Sequence, residues 1–318
     1  MIALALLALQ MRGVSVAHDG TVWASSQHGV VIHSTDRGAS WQTDTIAAAR
    51  TFDLRGIAAV DQLTAHAMVA GADTGRIFVT TDGGRTWKLE YDDTRHGVFL
   101  DAIALWTPRD LIVLGDPIGD AFTVLVSRDA GAHWAAVHPP PALPGEAAFA
   151  ASNTCLVTGP GGAAWFVTGG SHTTARVFHT GDYGMHWSVA SLPLLAGNTS
   201  SGAFSIAFRD HHGVVVGGDY AVPDSSRPNV ALTTDGGATW SGGPGSGVVP
   251  YLSAVAPLRS GWIATGTRGP TCGPPSPGAR YRPLRTAWAV SEHEASPFGQ
   301  RGSRNGRCLV RPPIHHST

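Results

Sequence analysis

The chain has 318 residues, with 22 basic side chains, 23 acidic side chains and a formal net charge of −1. Because the charges balance, the sequence lacks the basic excess that holds nucleic acid, and we expect no nucleic-acid partner. A hydrophobic content of 43% together with 40 Gly and 21 Pro indicates a folded core interrupted by many turns. Long helices are therefore not expected, and a chain of this length suits a barrel, a propeller or a repeat array.

The chain begins with an apolar segment, residues 1–11, whose first part reads MIALALLALQ. It is too short to cross a bilayer, and it has neither a basic start nor a small-residue cleavage site. We interpret it either as the remnant of a signal peptide that begins upstream or as a first strand. No transmembrane helix is predicted, and a periplasmic or secreted location is favoured, with the signal peptide missing or truncated in this chain.

An octapeptide of the pattern Ser/Thr-x-Asp-x-Gly-x-x-Trp, called a box below, occurs five times. The copies are STDRGASW at 34–41, TTDGGRTW at 80–87, SRDAGAHW at 127–134, TGDYGMHW at 180–187 and TTDGGATW at 233–240. Their aspartates recur every 46 to 53 residues, which is the period of propeller blades and similar arrays.

Short apolar runs precede most boxes and have the length and the Gly, Asp and Pro boundaries of β-strands. Each repeat therefore predicts four strands, with the box at the turn between the third and the fourth. Six such units begin near Arg12, Leu54, Phe99, Ala148, Ala203 and Tyr251. The prediction is an all-β propeller of four-stranded blades over residues 12–267, six-bladed with seven as the alternative.

The sixth unit lacks a box, so the last blade is predicted to be incomplete. Residues 268–318 are rich in Arg and Pro, and Glu292 and Glu294 are their only acids. We interpret this irregular segment either as the product of a shifted reading frame or as a basic tail that binds an acidic partner.

The boxes have a local physical role. Their aspartates and hydroxyls can accept hydrogen bonds from backbone N–H groups of the turn, and their Gly supplies a positive φ. The Trp is expected to bury its ring between adjacent blades, with its indole N–H near a polar partner. The predicted structural residues are Asp36, Trp41, Asp82, Trp87, Asp129, Trp134, Asp182, Trp187, Asp235 and Trp240.

The five boxes resemble the BNR or Asp-box repeat of sialidases and of many β-propellers. The whole run is also similar to bacterial proteins described as photosystem II stability and assembly factor-like. The resemblance implies that the boxes lie on the face opposite a sialidase catalytic centre.

A ligand or a protein partner would then use the other face, which is formed by loops after the second strands and by connections between blades. The candidate residues for that face are Arg95, His96, Phe99, Asp101, Asp116, His172, Asp219, Tyr220 and Tyr251. The turn preferences of Gly and Asp explain part of this set without any ligand. We predict neither a metal nor an organic cofactor.

Sialidase chemistry would require a Tyr nucleophile and an Arg cluster for the substrate carboxylate. The Arg-Ile-Pro motif of sialidases is missing; the corresponding stretch reads QMRGVSVAHDG. The sequence therefore favours a non-catalytic scaffold that binds a protein or assists assembly, and no catalytic residue is assigned. The alternative is a sialidase-like glycoside hydrolase that acts on a glycan.

Overall fold

The structure, a computed structural model, describes residues 10–225, 227–243, 248–259, 261–267, 269–273 and 282–283. Most of the apolar segment 1–11 and most of residues 268–318 lie outside the described residues. The prediction of a shifted reading frame or a basic tail falls on the second of these segments. Within the described part of the chain, no helix is long and apolar enough to span a bilayer.

The first half of the chain forms three antiparallel four-stranded sheets, β1–β4, β5–β8 and β9–β12. Their strands are β1 (Gly13–Val16), β2 (Val22–Ser25), β3 (Val30–Ser34), β4 (Gln42–Thr45), β5 (Asp53–Ala59), β6 (Ala65–Gly71), β7 (Thr74–Thr80), β8 (Lys88–Asp93), β9 (Leu100–Leu105), β10 (Leu111–Ile118), β11 (Ala121–Ser127) and β12 (Ala135–Val137). Two 3-10 helices are described in the chain, Ala47–Ala49 and Pro160–Gly162.

The strands of the second half are β13 (Glu146–Ala147), β14 (Leu156–Thr158), β15 (Ala164–Val167), β16 (Gly169–Gly170), β17 (Ala175–Thr180), β18 (Ser188–Leu192), β19 (Ser201–Arg209), β20 (His212–Asp219), β21 (Arg227–Pro228), β22 (Val230–Thr233), β23 (Ser241–Gly242), β24 (Val248–Val249), β25 (Leu252–Pro257), β26 (Trp262–Gly266), β27 (Gly269–Gly273) and β28 (Arg282–Pro283). They form three further large sheets and one two-stranded sheet, β21 with β24. The fourth contains β14, β15, β17 and β18, the fifth contains β19, β20, β22 and β23 extended by β16 and β13, and the sixth contains β25–β28. The all-β prediction with four-stranded units is confirmed. The sequence-based boundary at residue 267 falls between β26 and β27.

The hydrophobic core lies between neighbouring sheets. The first strands of successive sheets contact one another in the order β1, β5, β9, β14, β19 and β25. One apolar cluster joins the first and second sheets around Trp23 and Phe78, and another joins the second and third around Met68 and Leu111. Because both faces of a sheet are covered, second strands are apolar without alternation, and Leu111–Leu114 is completely buried.

Strand direction divides the loops between two faces of the molecule. The boxes join third to fourth strands and lie together on one face, named the box face. Loops after second strands and connections between sheets lie on the opposite face, named the loop face.

Three tryptophans outside the boxes connect consecutive sheets by donating their indole N–H to a backbone oxygen of the next sheet. Trp23 Nε1 donates to Asp61 O at 3.0 Å, Trp106 Nε1 to Ala163 O at 2.6 Å and Trp165 Nε1 to Gly236 O at 3.0 Å. Each contact buries an indole and satisfies its polar atom, so it fixes the sheets relative to one another. The repeat pattern gave no indication of this second set.

A buried ion pair anchors the connection between the third and fourth sheets. Arg176 on β17 donates to both carboxylate oxygens of Glu146, with Nε to Oε1 at 2.8 Å, and its Nη2 donates to Pro141 O at 2.9 Å. Glu146 also accepts the backbone N–H of Leu143 at 2.8 Å. The Glu146 side chain is fully buried and that of Arg176 is 11% exposed, so either ion would be uncompensated without the other.

We expect Arg176→Met to reduce the free energy of unfolding by about 3–5 kcal/mol, because it leaves Glu146 buried without a counter-ion. The double variant Arg176→Met, Glu146→Leu should recover most of that loss. Arg76→Met is the control, because Arg76 pairs with Asp92 at the surface and its loss should cost less than about 1 kcal/mol. Urea unfolding of the four proteins measures the effect; equal losses for Arg176→Met and Arg76→Met would contradict it.

Candidate functional site

The boxes share one set of hydrogen bonds. In the second box, Thr80 Oγ1 donates to Asp82 Oδ1 at 2.9 Å, and Gly84 N donates to Thr80 Oγ1 at 2.9 Å. Thr86 N donates to Asp82 Oδ1 and Thr86 Oγ1 donates to Asp82 Oδ2. These bonds lower the pKa of Asp82 to about 2. The other aspartates, Asp36, Asp129, Asp182 and Asp235, make equivalent bonds, and their pKa values are also lowered.

The box tryptophans are half-buried, and their indole N–H groups mostly bond within their own box. Trp87 Nε1 donates to Gly84 O at 3.1 Å, and Trp41, Trp187 and Trp240 make the same bond to their own box glycines. Trp134 Nε1 is buried without a partner. The Trp87 ring packs edge to face on Trp23 of the preceding sheet, whereas Trp187 and Trp240 pack on Phe166 and Phe208 of their own sheets. The expected packing of the Trp ring between adjacent sheets is therefore found for Trp87, whereas Trp187 and Trp240 contact aromatic rings of their own sheets.

The nine candidate residues of the loop face do lie at that end of the sheets, but they differ in exposure. Arg95, His96 and Tyr220 are exposed, and Phe99, Asp116 and His172 are partly buried. Asp101, Asp219 and Tyr251 are buried, so the expected rim is only in part a surface.

Several candidates are engaged in local structure. Arg95 forms a bidentate ion pair with Asp93, with Nη2 to Oδ2 at 2.7 Å. His96 Nδ1 lies 3.2 Å from Asp73 Oδ2. Asp219 accepts Ser200 Oγ at 2.7 Å and the N–H of Ala221, which the turn preference of Asp explains.

Tyr220 and Tyr251 belong to one aromatic cluster with Phe204 and Phe149. The rings of Phe149 and Phe204 stack at 4.0 Å, and both tyrosines meet the Phe204 ring edge to face. Burial raises the pKa of Tyr251 to about 12. Tyr220 is the member of the cluster that faces solvent, with 52% of its surface exposed. Val222, two residues later, is 53% exposed.

Asp101, which is buried, and Asp116, which is partly buried, form an acid pair near the centre of the loop face. Asp101 is the extra residue of a β-bulge in β9, and bulges redirect side chains at functional sites. Both Asp101 oxygens are buried without a hydrogen-bond partner. Burial and the neighbouring Asp116 raise the pKa of Asp101 well above its ordinary value, against the opposing charge of Arg55. Burial raises the pKa of Asp116 to about 6, although the Ala148 N–H bond opposes this shift.

Arg55 stands beside this pair and acts on Asp101 through its charge, and it shares the partner Asp53 with Arg12. Arg12 Nη2 donates to Asp53 Oδ2 at 3.2 Å, and Arg55 Nη2 lies 3.5 Å from the same oxygen. Arg55 is the bulge residue of β5, as Asp101 is of β9. The loop face thus has alternating charges across the first three sheets.

Residues 148–154, named the axial segment, cross the centre of the loop face. Ala148 N donates to Asp116 Oδ1 at 2.9 Å, and Ala150 O accepts Arg55 Nη1 at 3.1 Å. Ser152 Oγ donates to Ser253 O of the sixth sheet at 2.9 Å. This segment covers the acid pair and was not singled out by the sequence, because it has no repeat pattern.

Asn153 joins the axial segment to the second and third sheets through three hydrogen bonds. Its Nδ2 donates to Ile57 O at 3.0 Å and to Ile103 O at 3.1 Å, and its Oδ1 accepts Ile103 N at 2.9 Å. A Cβ atom at Gly56 would lie 2.7 Å from Asn153 Oδ1, so that glycine leaves room for the amide. The sequence does contain a sign of this contact, because the first strands of the first two sheets have a glycine, Gly13 and Gly56, where Asn153 approaches.

Within the described residues, no three or more His, Cys, Asp or Glu side chains form a group that could hold a metal ion. A cavity of about 420 Å³ lies on the box face, at the ends of β1, β5, β9 and β14. The two ends of the central axis therefore differ: polypeptide crosses the loop-face end, and the cavity opens at the other.

Known proteins support the repeat and the fold. A family model described as BNR/Asp-box repeat matches residues 78–89, which contain the second box. No curated protein matches the sequence. The structure is similar to the GH74 enzyme of Niastella koreensis, with a TM-score of 0.59 at 12% identity over 82% of this chain and 44% of that chain.

It is also similar to the phage phi92 endosialidase, with a TM-score of 0.50 at 10% identity over 81% of this chain and 61% of that chain. YCF48 bound to D1 peptide matches at 14% identity over 82% of this chain and 92% of that chain, with a TM-score of 0.42. The GH74 enzyme and the endosialidase are β-propellers, and together with the match to the BNR/Asp-box repeat they confirm the resemblance to Asp-box propellers. At such identities the likeness concerns the fold alone.

We expect Asp116→Asn to stabilise the protein above pH 6. Between pH 4 and pH 6 the unfolded Asp116 ionises before the folded one, whose pKa is about 6, so ionisation lowers wild-type stability as pH rises. The variant keeps the acceptor for Ala148 N–H and escapes this penalty, which is on the order of 2–3 kcal/mol.

Urea unfolding at pH 4 and pH 7.5 measures the gain, with those pH values chosen on either side of about 6. Asp120→Asn, an exposed neighbour, is the control and should change stability equally at both. An Asp116→Asn gain that is the same at both pH values would contradict the burial of this carboxyl.

We expect substitution by glycine at two alanines of the third box to change the free energy of unfolding in opposite directions. Ala130 has φ of 61°, a left-handed conformation that costs about 1–2 kcal/mol for a non-Gly residue. Ala130→Gly should therefore raise the free energy of unfolding by up to about 1 kcal/mol, after the added chain entropy. Ala132, which is not among the positive-φ residues described, is the matched control, and Ala132→Gly should lower it by about 0.4–1 kcal/mol. Shifts of the same sign in urea unfolding would contradict this account.

Proposed function

We propose that this chain, an Asp-box propeller with six blades, the last of them without a box, is a non-catalytic scaffold that binds a protein partner through its loop face. One observation carries the proposal, namely that the axial segment occupies the centre of that face. A substrate held by several blades would bind where their first strands meet. In this chain the hydrogen bonds of Ala148, Ala150 and Asn153 fill that position with polypeptide.

The surface that remains on the loop face has the character of a protein-binding surface. Tyr220 and Val222 are more than half exposed at the edge of an aromatic cluster. Aromatic side chains are enriched at the centres of protein interfaces, because they bury a large area with little loss of conformational entropy. Arg95 and His96 add an exposed polar rim. A periplasmic or secreted location belongs to the same proposal, so the partner is sought in an envelope extract.

The acid pair favours a second candidate, a sialidase-like glycoside hydrolase. Pairs of carboxyl groups with raised pKa values occur at catalytic sites as well as in structural networks. For Asp101 and Asp116 to act on a glycan, the axial segment would have to leave the position it occupies.

The partner is tested by capture from envelope extract on immobilised wild type, Val222→Asp and Val189→Asp. Val189 lies on β18, at the outer edge of the fourth sheet, and is 42% exposed, so it is the matched control. A protein retained by wild type and Val189→Asp but lost with Val222→Asp, and then shown to bind in purified form with the same ranking, is the expected result. Equal retention by all three would contradict a loop-face interface.

The hydrolase is tested on the same preparations with a fluorogenic sialoside. Wild type, Arg95→Ala and Asp116→Asn should all be inactive. Clear turnover by wild type that Asp116→Asn abolishes would overturn the scaffold and establish the acid pair as catalytic.

A further inference from the structure

The cavity on the box face has the size of a ligand site. Its volume is about 420 Å³, within the range of pockets that bind small molecules, roughly 300–1,000 Å³. Its walls are the ends of β1, β5, β9 and β14, so four sheets contribute to it. The cavity ends at Asn153 and Thr154 of the axial segment, and it is therefore separated from the loop face.

The lining lacks charge. Among the described residues that line the cavity, none is Asp, Glu, Lys or Arg, and His18 at its edge is the one titratable side chain. A charged group that entered would lose hydration without gaining a counter-ion, and this cost excludes ionic ligands of appreciable affinity.

The polar side chains of the lining already have partners in the protein. Ser15 Oγ accepts Ala59 N at 3.0 Å, and Thr158 Oγ1 donates to Leu105 O at 2.5 Å. The Asn153 amide is engaged by β5 and β9, as described above. Little side-chain hydrogen-bonding capacity therefore remains for a ligand.

The surface left for a ligand is predominantly apolar. Val16 is 52% exposed although it lies on the first strand of its sheet. Leu105, Trp106 and Val157 are each only partly buried along the same walls. Burial of this exposed apolar area under an apolar ligand would be favourable by about 25 cal/mol per Å².

We infer that the box-face end of the central axis is a binding site for an uncharged, predominantly apolar small molecule. The site is independent of the loop-face interface, since it lies at the opposite end of the sheets. Trp106 forms one wall, with its indole N–H held by Ala163 O, and Val16 stands at the opening.

The probe is Prodan, an uncharged naphthalene dye, compared with anilinonaphthalene sulfonate, an anionic dye of similar size. We expect saturable binding of Prodan at one site, with a blue shift of its emission, and binding of the anion weaker by about tenfold or more. In a nitrogen-15 correlation spectrum, the Trp106 indole signal, assigned with Trp106→Phe, should shift on titration with Prodan. Equal affinity for the two dyes, or no saturable binding, would overturn the inference.

Two variants locate the dye. Val16→Trp fills the opening and should weaken Prodan binding by about tenfold or more. Val189→Trp makes the same replacement at an exposed position of β18 and should leave it unchanged. Val16→Asp is a second variant at the opening, and the charge it introduces should weaken binding as well. Near-ultraviolet circular dichroism and thermal unfolding establish that each variant is folded; unchanged affinity in folded Val16→Trp and Val16→Asp would place the dye elsewhere and refute the site.

Discussion

The side-chain amide of Asn153 satisfies three backbone groups of two different sheets at the centre of the molecule. Its importance follows from the architecture. The first strand of each sheet has one edge paired with its neighbour and one edge directed toward the axis, and peptide groups buried at such an edge need partners. Asn153 supplies partners for β5 and β9, and Thr154 and Ser205 continue the connection to the fifth and sixth sheets. The order of the sheets thus depends on a short irregular segment as much as on the strands.

The features that the sequence predicted are those that short segments determine by themselves. A box specifies its turn through Ser or Thr, Asp and Gly within eight residues, so five copies predicted five corners and the strands that flank them. The seventh box position shows why the pattern tolerates variation. Ser40, Thr86, His133, His186 and Thr239 occupy it, and each donates to the same aspartate oxygen. Any short side chain with a suitably placed donor serves there.

What the sequence did not predict depends on contacts between distant segments. Asp101 was expected at a rim, yet a β-bulge turns it inward and Ala148–Ala150, almost fifty residues later, lie across it. The axial segment has small, non-periodic residues, and its partners lie on four other sheets. Trp23, Trp106 and Trp165 likewise meet oxygens whose positions only the assembled sheets define. Local pattern therefore predicted the fold, whereas the centre of the loop face required the structure.

The same distinction explains why similarity of fold says little about activity here. The likeness to the GH74 enzyme and to the endosialidase rests on the arrangement of sheets, at 12% and 10% identity. Function in such a fold resides in the residues of particular sites, and the space where the sheets converge is one of them. At the loop-face end, that space holds the pair Asp101 and Asp116, covered by the axial segment. Covering the pair removes water from two carboxyl groups. This loss of hydration raises their pKa values, so both stay protonated to higher pH. At the box-face end the same strands leave an uncharged cavity, where the burial of apolar surface rather than ion pairing would provide the affinity. The two ends of the axis thus present opposite chemistry. The connection between the third and fourth sheets, which contains the axial segment, is long enough to reach the centre, and it crosses the loop-face end only.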